Sequence, residues 1–352
     1  MSLVLEMGML RCWKVPHNGW KTEKFQVLHG RALALALRAE SMQSTVRLKH
    51  DRILPMTVSS RTPRPIDHLV LPVSDLGISR ERLAQLGFTV AGDARHPFGT
   101  ENCCVFLADG SYLEPLGVAN REECEEAARG GNVFVARDQA FRFRRGLEGF
   151  SGIAMASSDA REDDQRYTAA GLSGGQVLEF SRDMLLPDGS SATGSFRLAF
   201  AADLRSPDFF FFASQRVQPL PSDRKALERH DNGVLGLSEV VLSEQNPTDF
   251  QYLVQEAADE REVEAMSFGM SVDTPRGRIT VLNDDGLEGF YGIKPATGTD
   301  RGLKGQAVVF TVADLSKCRR LLTERGVGFR ERDGRLLVPP APGQGVLFVF
   351  GE

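Results

Sequence analysis

The chain repeats one pattern four times. An apolar strand runs into a polar turn carrying an acidic residue, a helix follows and ends near glycine, and two or three further strands complete the unit. The units open at Ile66-Asp67-His68-Leu69-Val70-Leu71, Gly149-Phe150-Ser151-Gly152-Ile153-Ala154, Leu235-Gly236-Leu237-Ser238-Glu239-Val240 and Ala307-Val308-Val309-Phe310, about 85, 85 and 70 residues apart. Such self-similarity constrains the fold more than any local propensity. A small unit cannot bury its apolar face alone and must pack on its copies.

Within the first unit, Ser74-Asp75-Leu76 predicts a capped helix over 77–86, closed by Gly87. Strands are expected near Phe88–Val90, Cys103–Leu107 and Tyr112–Leu116, with Ala108-Asp109-Gly110 as a turn. In the second unit a helix ends at Gly171. Strands follow near Gln176–Phe180, Gly194–Phe200 and Phe209–Ala213, with Pro187-Asp188-Gly189 as the turn signal. The third unit reads as a helix over 247–258 and strands near 264–272, 277–283 and 287–292. In the fourth, Asp314 caps a helix ending at Gly326, and strands lie near 328–331, 335–338 and 345–350. The polar segment Gln218–Asn232, with Pro219 and Pro221, separates residues 65–217 from residues 233–352.

Residues 1–64 differ from the rest. They hold 11 Lys/Arg against 4 Asp/Glu, a local charge of +7 in a chain of net charge −5. A disordered tail, an Arg-rich transit-like peptide or a start-site artefact at Met56 fits this composition, so whether residues 1–55 belong to the native protein stays open. The overall charge offers no general attraction to nucleic acid or an anionic membrane, and no apolar run approaches the roughly 20 residues of a membrane span. Five cysteines, with Cys103 and Cys104 adjacent and no Cys-x-x-Cys pair, argue against a disulfide framework and a structural zinc site. A cytoplasmic location is expected. No Gly-x-Gly-x-x-Gly, phosphate-binding loop, Gly-x-Ser-x-Gly or His-Glu-x-x-His motif occurs.

Four segments in order carry a family resemblance. They are Ile66-Asp67-His68-Leu69-Val70-Leu71-Pro72-Val73-Ser74-Asp75-Leu76; Leu86-Gly87-Phe88-Thr89-Val90; Arg95-His96-Pro97-Phe98-Gly99-Thr100-Glu101-Asn102; and Tyr112-Leu113-Glu114-Pro115-Leu116-Gly117-Val118. Together with weaker matches through the second unit they resemble the glyoxalase-like branch of the vicinal-oxygen-chelate superfamily over about residues 65–217. The resemblance implies an α+β fold: four tandem βαβββ modules forming two paired-module, cup-shaped mixed sheets. It also implies a divalent metal in the cup, held at the positions of His68 and Glu114. The superfamily spans lyases, isomerases, dioxygenases and metal-free binding proteins, so fold does not dictate reaction.

By the two-residue period, His68 shares a strand face with Ile66 and Val70, and Glu114 shares one with Tyr112 and Leu116. An imidazole and a carboxylate on neighbouring strands suit Mn, Fe, Ni, Zn or Mg, or form a plain His–Glu hydrogen bond. His96, on a Gly/Pro-flanked loop, is the best third ligand or a packing histidine. Glu114 could serve as a general base if burial raises its pKa. Arg95, Thr100, Asn102, Arg182 and Arg197 are candidates for binding an oxygen-rich or anionic substrate, with Arg197 expected to point away from Phe196, Leu198 and Phe200 and into the cup. The second unit offers Gly152 at the place of His68 and the run Phe209–Phe212 at that of Glu114. That run should bury two rings on each sheet face. In the third unit Glu239 and Glu288 stand roughly at those places, a minority metal-site reading. In the fourth, Ala307 and the Phe348–Phe350 strand offer no ligand.

The leading expectation is a metal-dependent lyase or isomerase acting on a small oxygenated or carboxylated metabolite. A non-enzymatic small-molecule binding or resistance protein is the alternative, and an extradiol dioxygenase ranks last. Residues 233–352 read as a degenerate second domain that scaffolds, dimerises or closes the first cup.

Overall fold

The computed structural model describes residues 61–185, 191–218, 224–294 and 300–352. The turn signal Pro187-Asp188-Gly189 and the basic segment before residue 61 lie outside them.

The first module is β1 (Ile66–Pro72), α1 (Leu76–Gln85), the short strands β2 (Ala94–Arg95), β3 (Thr100–Asn102) and β4 (Val105–Phe106), and β5 (Tyr112–Val118). Two helices follow, α2 (Arg121–Arg129) and α3 (Val133–Arg145). The second module is β6 (Gly152–Ser157), α4 (Ala160–Ala169), β7 (Leu178–Leu185), β8 (Ser191–Ala201) and β9 (Phe210–Gln218). The third is β10 (Val234–Ser243), α5 (Gln251–Ala258), β11 (Glu264–Met266), β12 (Gly269–Asp273) and β13 (Arg278–Leu282), followed by α6 (Asp284–Tyr291). The fourth is β14 (Lys304–Val312), α7 (Leu315–Glu324), β15 (Arg330–Arg332), β16 (Arg335–Val338) and β17 (Leu347–Gly351).

The modules pair into two curved mixed sheets. The first runs β2-β3-β5-β1-β6-β9-β8-β7, with β4 also on β5, and the second runs β11-β12-β13-β10-β14-β17-β16-β15. Each joins its modules through one antiparallel central pair, β1 with β6 and β10 with β14, and each module's first strand runs parallel to its last. Aspartates cap α1, α4 and α7 by accepting from first-turn amides, as Asp75 does from Ile78.

The strand alternation divides the core. Phe209 and Phe211 face a large cluster shared by both halves, while Phe210 and Phe212 face the inside of the first cup, two rings to each side. In the shared cluster Phe88 packs against Phe310, Phe348 and Phe350. Asn232 ties the halves further, its side-chain amide donating to the carbonyl of Leu86.

Two expectations are corrected. Phe88–Val90 forms no strand. Phe88 is spent on the shared core, and the carbonyls of Val90 and Ala91 accept from Arg80 rather than from a neighbouring strand. The segment near 287–292 is helical, because Asn283 caps it through the amide of Gly286 and Leu287 and Tyr291, four residues apart, are buried together. Glu288 therefore sits exposed on a helix. The sequence reading also placed no element between the first two units, where α2 and α3 cover the first cup. Their signals were Asn120 and Asn132, each capping its helix, and an apolar spacing that puts Phe134, Val135 and Phe141 on one side. Arg142 fastens α3 by pairing with Asp138 and donating to the carbonyls of Val73, Leu116 and Leu147.

No described helix is long and apolar enough to cross a membrane.

Candidate active site

The parallel pair β1/β5 sets His68 beside Tyr112 and Val70 beside Glu114. From these neighbouring strands, His68 Nε2 meets Glu114 Oε2 at 3.4 Å. The loop between β2 and β3 folds His96 in from the other side, with its Nε2 3.8 Å from Glu114 Oε1. The two predicted histidine ligands thus converge on the carboxylate of the third, and all three are buried. Ile66 does not share the His68 face, since the β1/β6 register shifts between them and Ile66 packs in the shared core. At that irregularity Asp67 reaches round to its neighbour, and His68 Nδ1 lies 2.8 Å from Asp67 Oδ2. Asp67 also pairs with Arg216 of β9 at 2.8 Å. Sequence reasoning missed Asp67 because adjacent strand residues normally face opposite ways.

The remaining predicted residues divide by role. Thr100 Oγ1 lies 2.9 Å from His96 Nδ1, and Asn102 donates to Glu114 Oε1 at 2.5 Å. Both therefore hold the site's own groups. Arg182 on β7 lines the same cavity and donates weakly to Asn102 Oδ1 at 3.4 Å. Arg95 pairs with Glu123 in the open cleft outside. Arg197 does not enter the cup: it pairs with Glu179 and donates to Gln215, while Phe196 and Leu198 take the inward positions. The same alternation that was expected to send it inward sends it out.

Phe98, Tyr112, Phe134, Phe180, Phe196 and Phe212 wall the cavity, which measures about 30 Å³. Tyr112 stacks on His68 with 4.4 Å between centroids, and Phe98 stacks on His96 at 4.9 Å. Outside, sharing His96 and Arg182, lies an open cleft of about 380 Å³. The second module supplies no ligand. A Cβ on Gly152 would meet the Phe210 ring at 3.3 Å, and Phe212 stands where a carboxylate would be needed.

The electrostatics reverse one expectation. Burial pushes the Glu114 carboxyl up, but the hydrogen bond and charge of His68, with His96 and Arg182, outweigh it and hold Glu114 at about 2. Glu114 is therefore poorly matched to general-base work near neutral pH. Burial pushes His68 down, yet Asp67 and Glu114 on either side raise it. Burial and the Arg182 cation lower His96 to about 3, so His96 is a neutral imidazole.

The donor types present, two imidazoles and a carboxylate, suit a divalent ion of borderline softness. Each imidazole has its Nδ1 on an oxygen and turns Nε2 toward a shared carboxylate, the usual arrangement of metal-binding histidines. The cavity exceeds the roughly 10–15 Å³ that one water needs. No three His, Cys, Asp or Glu side chains among the described residues form a ready-made cage. His68 and Glu114 meet each other directly, so an ion held by both would replace the proton between them.

The second cup holds no such set. Glu239, at the place of His68, accepts from Thr280 and from Tyr291, the latter at 2.7 Å. Thr280 stands at the place of Glu114, and α6 fills the interior with Leu287 and Tyr291. The Glu239/Glu288 pair does not form.

A family model described as a glyoxalase-like domain matches residues 66–258. No curated protein sequence matches the chain. Among solved structures, a hypothetical protein from Staphylococcus aureus superposes with a TM-score of 0.56 at 14% identity, covering 81% of this chain and 98% of its own. A mutant 4-hydroxymandelate synthase from Streptomyces coelicolor gives 0.53 at 16% identity, covering 82% and 92%. A Mn(II)-bound glyoxalase from Novosphingobium aromaticivorans gives 0.45 at 12% identity, covering 82% and 81%. At these identities the likeness is one of fold.

Proposed function

Since the chain belongs to the glyoxalase-like family of the vicinal-oxygen-chelate superfamily, we propose that its first cup is a metal-dependent site of lyase or isomerase type for a small oxygenated or carboxylated metabolite. One observation carries this reading: two oriented imidazole Nε2 atoms and one carboxylate converge in a small aromatic-walled cavity. A bound divalent ion would supply Lewis-acid stabilisation of an enolate or oxyanion. His68 and His96 would hold it through Nε2 and Glu114 through its carboxylate. Asp67 and Thr100 fix the two rings, and Asn102 fixes Glu114. The aromatic wall surrounds these groups with apolar surface, where charge interactions are stronger than in water. Metal analysis of the purified full chain, with calorimetric titration of Mn, Fe, Ni, Zn and Mg, tests the proposal. One ion per chain is expected, lost in both His68→Ala and Glu114→Gln. A metal-free protein that none of these ions stabilises against heat overturns it.

The second reading is a non-enzymatic binder of an apolar or aromatic compound. The six aromatic walls and the ligand-free second module favour it. Tight ligand binding without turnover, unchanged in His68→Ala, would select it. The extradiol reading is weakened because the later modules present buried Ala307 and Phe348 and a cup filled by α6.

A further inference from the structure

We infer that Arg182 is the carboxylate receptor of this cavity, and that its ligand is a small α-hydroxy or α-oxo carboxylate whose α-oxygen lies among His68, His96 and Glu114. The placement of the α-oxygen rests on the proposed metal site, whereas the carboxylate contact stands on Arg182 itself.

Of the three arginines singled out in the sequence, two are satisfied elsewhere, Arg95 by Glu123 and Arg197 by Glu179. Arg182 differs. It lines the inner cavity, has no acidic partner among the described residues, and keeps its Nε buried with no hydrogen-bond partner. Its contacts are the long bond to Asn102 and a face-on approach to the Phe196 ring, 5.7 Å from the centroid. A buried donor without an acceptor is unfavourable unless something supplies one. A guanidinium, a planar fork of donors, is matched best by a carboxylate.

The geometry also limits the ligand. The inner cavity, at about 30 Å³, admits only about one or two non-hydrogen atoms. A reacting oxygen enters it, and the rest of the ligand extends into the outer cleft, which shares Arg182 and His96. Asn102 spans the gap between the receptor and the ligand carboxylate of the site: its Oδ1 accepts from Arg182 and its Nδ2 donates to Glu114. Receptor and oxygen site are one side-chain amide apart. An α-oxygen is the shortest link between the two, and 3-hydroxypropanoate is the longer one against which it is tested.

The test is calorimetry on the full chain with lactate, pyruvate, lactamide and 3-hydroxypropanoate, in the presence and absence of Mn²⁺. Lactamide removes only the charge, and 3-hydroxypropanoate moves only the hydroxyl. With Mn²⁺, lactate and pyruvate are expected to bind at least about ten-fold more tightly than lactamide, the size of a charge-assisted contact, and more tightly than 3-hydroxypropanoate. Arg182→Gln should bind lactate and lactamide alike, and Arg182→Lys should recover part of the difference. Mn²⁺ affinity of Arg182→Gln should equal or exceed that of the wild type, since a nearby positive charge is removed. Equal binding of lactate and lactamide by the wild type, no lactate binding at millimolar concentrations, or a preference that survives in Arg182→Gln overturns the receptor. Intact Mn²⁺ binding in those cases leaves the metal reading standing. Equal binding of 3-hydroxypropanoate overturns the α-placement. An Arg182-dependent preference without Mn²⁺ binding overturns the metal reading and supports the receptor. Circular dichroism of each variant separates loss of binding from loss of fold.

Discussion

Replacing Asp67 by alanine in the metal-free protein isolates the device that orients His68. The carboxylate accepts from His68 Nδ1 and pairs with Arg216, both at 2.8 Å, and is almost wholly buried. Breaking a buried ion pair by removing one partner costs about 3–5 kcal/mol. Arg216 is one-third exposed and can turn to water, so its share falls toward the roughly 0–1 kcal/mol of a surface pair. The loss is then dominated by His68, which stays buried, and about 3 kcal/mol is expected at pH 5.5. Asp67→Asn keeps an acceptor for Nδ1–H and should lose only about 1–2 kcal/mol. The pH dependence has a definite sign. His68 is raised above its ordinary 6.5, so its contribution is complete below pH 6.5 and fades as pH rises through the raised value. Asp67 is lowered below its ordinary 3.8, so its contribution is present above pH 3.8 and is lost as pH falls through the lowered value. The deficit of Asp67→Ala should therefore be greatest between pH 3.8 and 6.5 and shrink in alkali toward the part owed to Arg216. Urea unfolding followed by far-ultraviolet circular dichroism measures it. Tryptophan emission is unsuitable, because the two tryptophans, Trp13 and Trp20, lie outside the described residues. A deficit below about 1 kcal/mol at pH 5.5, where a buried pair should cost several times that, refutes the reasoning. So does a deficit that is flat from pH 5.5 into alkali.

Two further outcomes follow from the packing of the two cups. Phe134→Ala removes a buried ring of α3 that lines the cavity, and chemical denaturation should show a loss of about 3–5 kcal/mol, with faster hydrogen exchange in α3 than elsewhere. Glu239→Gln leaves the second cup's residues hydrogen-bonded and the first cup untouched, so calorimetry should give unchanged metal stoichiometry; loss of an ion would restore the second cup as a metal site.

Much of the site was legible residue by residue. His68, His96 and Glu114 stood out because ionisable side chains in otherwise apolar strands, or in a Gly/Pro-flanked loop, need a reason to be there. The structure brings all three together. The arginines were less legible, since alternation states that Arg197 and Phe196 face opposite ways but not which face is the cup. Asp67 was hidden by the irregularity that turns it toward His68. Helices α2 and α3 lay between the recognised repeats, where the repeat pattern predicts nothing, and α6 lay where the third repeat predicted a strand.

Local chemistry along the chain was enough for the four-module architecture. Period-two strands act over a few residues and recur in every unit, while capping aspartates and glycine exits recur in three of the four. Tertiary packing alone decided that the four modules are not equivalent. The first cup keeps a small cavity around a polar cluster, with Phe134 of α3 among the rings that wall it, whereas α6 packs Leu287 and Tyr291 into the second. The pKa of Glu114 was likewise a tertiary outcome. Burial by itself would have raised it, and only the convergence of His68, His96 and Arg182 from three different segments turns the shift downward.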